Sequence, residues 1–111
     1  MIMQFEKGTK YTIVNSLAYV DGGVASKQLI RNKGGNITVF AFSKDEGLSE
    51  HTSPYEAFVQ ILEGIAEIRI GNDSHILKAG EIIIMPAGIP HALTANTDFK
   101  MLLVMIKPET A

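Results

Sequence analysis

From Ala25 onward the apolar side chains recur with a period near two rather than 3.6, and turn-forming residues interrupt them every few positions. That is the pattern of short antiparallel strands. The alternation predicts strands over Ala25 to Arg31, Asn36 to Ser43, Ala57 to Glu63, Ile65 to Ile70, His75 to Leu77, Ile82 to Met85, His91 to Thr94 and Phe99 to Ile106. Between them lie Asn32-Lys-Gly-Gly, Glu63-Gly64, Gly71-Asn-Asp-Ser, Lys78-Ala-Gly80 and Ala95-Asn-Thr-Asp98. Each is rich in residues that accept turn dihedrals. The first twenty-odd residues are of mixed polarity and end at Asp21-Gly22-Gly23, which predicts an arm over 1–22 with at most a short helix. A single all-β, antiparallel domain over 23–107 and a short tail over 108–111 complete the expected organisation, with no internal repeat or linker.

Two strands are more apolar than a half-exposed strand should be. In Glu81-Ile-Ile-Ile-Met85 and Met101-Leu-Leu-Val-Met-Ile106 both alternating faces are oily, so both faces should be covered. One face belongs to the interior of the domain. The other is expected to meet a second copy of the chain, giving a homodimer, or else the amino-terminal arm.

Length and composition then narrow the picture. At 111 residues there is room for one core, and 46% hydrophobic against 20% charged residues is the balance of a globular domain. Ten basic and twelve acidic residues leave a net charge of -2 with no basic block, so the footprint of a nucleic-acid binder is missing. The chain has no cysteine, which excludes disulfides, a thiolate nucleophile and zinc sites built on Cys. The start, Met1-Ile-Met-Gln-Phe-Glu-Lys, lacks the basic and apolar regions of a signal peptide, and no run reaches the roughly eighteen apolar residues of a membrane span. A cytoplasmic location without membrane attachment is the expectation.

Chemistry is left to three histidines, a few carboxylates and the loops. His51-Thr-Ser-Pro-Tyr-Glu56 stands just before a strand, and Pro86-Ala-Gly-Ile-Pro-His91 forms a turn entering another. Pro86 and Pro90 fix their own φ angles and remove two backbone donors, so the turn is stiff and presents His91 in one direction. His75, between Ser74 and Ile76 on a hairpin at the sheet edge, reads as a surface residue.

Together the two segments resemble the cupin superfamily, whose jelly-roll barrel, a double-stranded β-helix, carries two short motifs around a variable loop. Counting back from Gly64, His51 falls on the first histidine of the first motif, Ser53 stands where the second belongs, and Ala57 stands where the glutamate belongs. Gly47 is two positions late for the opening glycine. The second motif is nearer to pattern: Gly80, five residues, Pro86-x-Gly88, two residues and His91, with only the closing asparagine displaced to Asn96. The resemblance implies a single small barrel in which His51 and His91 keep two of four metal-ligand positions.

Alternation along the strand puts Ala57, Val59 and Ile61 inward and Glu56, Phe58, Gln60 and Leu62 outward, so Glu56 is misplaced as a substitute ligand unless a bulge shifts the register. The expected pocket is lined by His51, His91, Ser53, Ala57, Val59 and Ile61. A divalent metal (Fe, Mn, Ni or Zn) is a candidate cofactor at His51 and His91, although catalytic zinc and non-haem iron sites take three protein ligands. The reading preferred from the sequence is a small-molecule-binding domain with its ligand held in the barrel near the two histidines. The alternatives are a metal-dependent oxygenase or isomerase with a reduced ligand set, and a metal-free acid/base isomerase or epimerase using His51 and His91. The plain structural reading is that the imidazoles only satisfy one another. No arginine lies in either motif to clamp a carboxylate, and no glycine-rich phosphate loop precedes a helix.

Overall fold

A computed structural model describes residues 5–109, in which strands alternate with tight turns and the sole helical element is a 3-10 turn at Ile13–Asn15. The strands are β1 (Val24–Asn32), β2 (Gly35–Phe42), β3 (Gly47–His51), β4 (Glu56–Glu63), β5 (Ile65–Ile70), β6 (Asp73–Lys78), β7 (Ile82–Met85), β8 (His91–Ala95) and β9 (Phe99–Ile106). Eight of them fall where the alternation predicts, with ends moved by at most two residues. The ninth, β3, was not predicted. All pairings are antiparallel, and they form a five-stranded sheet in the order β1-β2-β9-β4-β7 and a four-stranded sheet in the order β3-β8-β5-β6. Consecutive strands β3, β4 and β5 lie in alternate sheets, which is how a jelly roll closes.

The period-two pattern explains the core. On β4, Ala57, Val59 and Ile61 are buried while their neighbours are partly or fully exposed, and on β8 His91, Leu93 and Ala95 turn inward. Between the sheets Phe42 and Phe99 stack at 4.6 Å and 3° beside Met101, Ile61 and Ile68. This end of the barrel is filled by side chains. At the β4–β5 turn Gly64 has φ +82°, and a methyl group there would overlap the Asp98 carbonyl and Phe99. The position therefore combines a left-handed backbone with a close approach that only glycine permits.

The arm packs on the outer face of the five-stranded sheet. Leu17, with Phe5, Ile13 and Tyr19, covers Val39, Ala41 and Leu62 in a second apolar cluster. Lys100 points outward from β9 into this layer and is only 8% exposed. Its ammonium donates to the Val14 carbonyl (2.7 Å), pairs with Glu63 (3.7 Å) and lies 5.0 Å from the Tyr19 ring centre. The Tyr19 hydroxyl donates to Glu63, and burial followed by that carboxylate pushes the phenol well above its usual range. Of the two occupants expected of the oily outer face, the arm is in place. The arm covers one end of it, while Ile82, Ile84 and Ile106 at the other end stay more than half exposed. Residues 1–4 of the expected arm and residues 110–111 of the expected tail lie outside the described residues.

Candidate functional site

The two histidines meet through a bulge. In the β3–β8 pairing, Leu48 lies opposite Leu93 and His51 opposite His91, so three steps along β3 match two along β8. Without the extra residue Leu48 and His51 would face opposite ways. The bulge turns both to the interior, and the outward positions carry Glu50, whose carboxylate pairs with Arg69 of β5 at 2.8 Å. The sequence reading allowed for a bulge at Glu56, but the register break that matters here falls in β3.

Short connections bring the site together. Residues 52–55 carry the chain from His51 to β4, and Pro86 to Pro90 carry it from Met85 to His91, so these strand ends share one end of the barrel. Ser53 joins the two connections, since its carbonyl accepts from the Gly88 N–H at 2.8 Å. Its hydroxyl, expected to face a ligand, accepts from the Tyr55 N–H at 3.1 Å and braces the turn. On the four-stranded sheet, His51, His91, Ile70 and Asp73 lie in one register row. On the five-stranded sheet the row at the same end runs through Met105, Ala57 and Met85.

The imidazoles pack edge to face, with ring centres 4.4 Å apart and an interplanar angle of 68°. His51 is exposed at the rim, and His91 lies below it at 4% exposure. Each ring is held in the same local way: His51 Nδ1 bonds the Ser49 carbonyl at 2.6 Å, and His91 Nδ1 bonds the Ile89 carbonyl at 3.2 Å. A carbonyl can only accept, so each neutral ring carries its proton on Nδ1 and keeps the lone pair on Nε2. Burial lowers the pKa of His91, the Ile89 carbonyl partly offsets that, and neighbouring His51 lowers it further. His91 is thus neutral at pH 7, with a hydrogen-bond acceptor at Nε2.

The remaining site expectations fall into place unevenly. Ala57 (2% exposed) stands in the row at the histidine end, whereas Val59 and Ile61 are completely buried deeper in the packed core. Met85 and Met105 flank Ala57 across the strands, and the sequence reading missed both; the alternation of β7 and β9 carries the information, since each lies two residues from another inward position. His75 is exposed on β6, two strands away from His91. Glu56 is exposed and points away from the barrel interior, opposite in sense to Ala57. Among the described residues, no three His, Cys, Asp or Glu side chains are placed to hold a metal ion. With Ala57 aliphatic and the Ser53 hydroxyl used locally, the residues present do not fit a four-ligand metal site.

Residues 38–107 match the Cupin domain family, and the chain belongs to it. The fold agrees. A conserved protein of unknown function from Streptococcus pyogenes is 38% identical, with 98% of this chain and 96% of that chain covered at a TM-score of 0.90. A cupin 2 conserved barrel domain protein from Leptotrichia buccalis is 33% identical over 87% of this chain and 47% of its own, at a TM-score of 0.85. A cupin superfamily protein from Desulfitobacterium hafniense, 21% identical, superposes over 97% of this chain and 99% of its own at a TM-score of 0.88 and shares the fold. A search of the curated proteins finds no match. No helix among the described residues is long and apolar enough to cross a membrane.

Proposed function

We propose that this cupin binds a small organic molecule at the histidine end of the barrel, with His51 and His91 as its polar anchors. The observation that carries the reading is the shared orientation of the two rings. Both are fixed through Nδ1 by the carbonyl two residues back, so the neutral form of each ring leaves Nε2 free to accept. Two acceptors side by side select a ligand that donates, namely one with a hydroxyl or an N–H group. Its apolar part would lie toward Ala57, Met85 and Met105, since binding sites are typically apolar clefts with a few placed polar groups. Ligand-observed NMR against a set of hydroxylated and amide fragments tests this. Binding should weaken about tenfold in His91→Phe, the size expected for losing one buried hydrogen bond to a neutral acceptor. Equal binding by wild type and a folded His91→Phe variant would refute the reading.

A second reading, acid/base isomerisation or epimerisation, is supported by the unequal burial of the pair, because one neutral dry imidazole beside a wet one can take and return a proton. It requires a pH-rate profile that breaks where the histidines titrate, and a flat profile from about pH 5 to 8 would exclude it. Elemental analysis of protein prepared without chelator or affinity metal addresses the cofactor. Stoichiometric iron, manganese, nickel or zinc would mean that a ligand beyond this pair completes a site, and would replace the binding proposal with a metal-dependent one.

A further inference from the structure

Two lysines reach from the five-stranded sheet toward the arm, and the fold treats them differently. Lys100 of β9 stands opposite Ala41 and Lys27 of β1 opposite Val39, both on the face the arm covers. Lys100 is satisfied by the Val14 carbonyl and the Glu63 carboxylate. Lys27 is half-buried, yet its ammonium donates to the Ser16 carbonyl at 3.3 Å and pairs with no carboxylate among the described residues. A cation withdrawn from water is normally matched by an anion.

Beside Lys27 lies a hollow of about 420 Å³ between the arm and β1, within the roughly 300–1,000 Å³ typical of small-molecule sites. Phe5 and Tyr11 form one wall, edge to face with ring centres 4.9 Å apart. Lys10 brings a second ammonium, also without an ion-pair partner among the described residues, and Asn15 brings an amide. The lining contains no acid. Glu6 borders a separate hollow that shares Phe5 and Tyr11 with this one, so its carboxylate is not the missing partner. Two cations and an aromatic wall thus share one concavity, in a chain whose net charge is -2.

We propose that this hollow binds a small phosphate monoester carrying an aromatic ring. Ammonium groups act as point charges, and no guanidinium is present in the lining to grip a planar carboxylate bidentately. A phosphate monoester carries close to two negative charges at pH 7, which balances Lys10 and Lys27. The ring packs against Phe5 and Tyr11, where offset or edge-to-face contact is favourable. The site is on the outer side of the sheet and is separate from the histidine end, whose rings face the barrel interior.

The test is titration of the nitrogen-15-labelled full chain with phenyl phosphate, and with inorganic phosphate and benzyl alcohol as partial probes. Phenyl phosphate should shift the amide signals of residues 10–16 and 27 saturably, with inorganic phosphate several-fold weaker at the same place and benzyl alcohol weaker still. Lys27→Gln and Lys10→Gln should each weaken phenyl phosphate about tenfold, as expected for loss of one charge-assisted hydrogen bond. Lys7→Gln, which removes an exposed arm charge outside the lining, should leave binding unchanged. Lys10 is itself exposed, so its replacement reads the site even if Lys27→Gln disturbs β1. No saturable binding at millimolar phenyl phosphate, shifts centred on His51 and His91, or inorganic phosphate binding as tightly as the ester would overturn the proposal. So would equal losses in all three lysine variants, or none in Lys10→Gln.

Discussion

His91 carries the clearest consequence at the scale of single residues. Burial holds its pKa below that of the unfolded chain, so in the window between the two values the unfolded state binds the extra proton. Stability from this group is complete above the unfolded value, near 6.5, and is lost as pH falls through the folded one. Thermal melts from pH 7.5 down to 5 should show a steeper fall for wild type than for His91→Phe; parallel curves would show that His91 is not buried neutral. Gly64 makes a different kind of demand. Gly64→Ala places a methyl group against the Asp98 carbonyl in a left-handed backbone, and a loss on the order of 3 kcal/mol should appear in denaturant titration. Both residues were singled out from the sequence by motif position. Their physical reasons, an i−2 carbonyl for one and a backbone contact from β9 for the other, depend on neighbours that no local pattern reveals.

Among the elements, β3 separates what alternation can predict from what it cannot. Eight strands announce themselves by apolar alternation or apolar runs bounded by turn residues, most plainly β4 and β8, whose alternate residues are buried. Gly-Leu-Ser-Glu-His contains one large apolar residue, and its bulge breaks the period within five positions. The strand is defined by its partner β8 instead. Because the bulge alone turns His51 inward, deleting Glu50 should return β3 to regular pairing and send the His51 ring to the outer face. The close approach of the His51 and His91 rings, read as a nuclear Overhauser contact, should vanish while the fold persists; a retained contact would show that the bulge does not set the orientation. The arm is the other element whose role the pattern leaves open. Its residues could be read only as a segment of mixed polarity, yet Leu17 is 7% exposed against the sheet. Leu17→Ala should cost about 2 kcal/mol or more, and Val20→Ala, at a position 52% exposed, should stay within about 0.5 kcal/mol. Equal effects in chemical denaturation would mean the arm is not docked.

For the whole molecule, the barrel was legible from turns, alternation and the second motif, in which Gly80 turns the chain into β7 and Pro86, Gly88 and His91 carry it from the other end of β7 into β8. The site was legible only in part. The sequence named the two histidines and the inward set on β4, but it could not tell that Val59 and Ile61 sink into packed core, or that Met85 and Met105 stand beside Ala57. Those facts depend on which strand ends share one end of the barrel. The most direct test of the proposed ligand site uses protein carrying nitrogen-15 in its three histidines. Titrated with a fragment that binds, His51 and His91 should both start as rings protonated at Nδ1, and both Nε2 signals should shift together while exposed His75 stays still. Shifts confined to His75, or none at the paired rings with any bound fragment, would contradict the account.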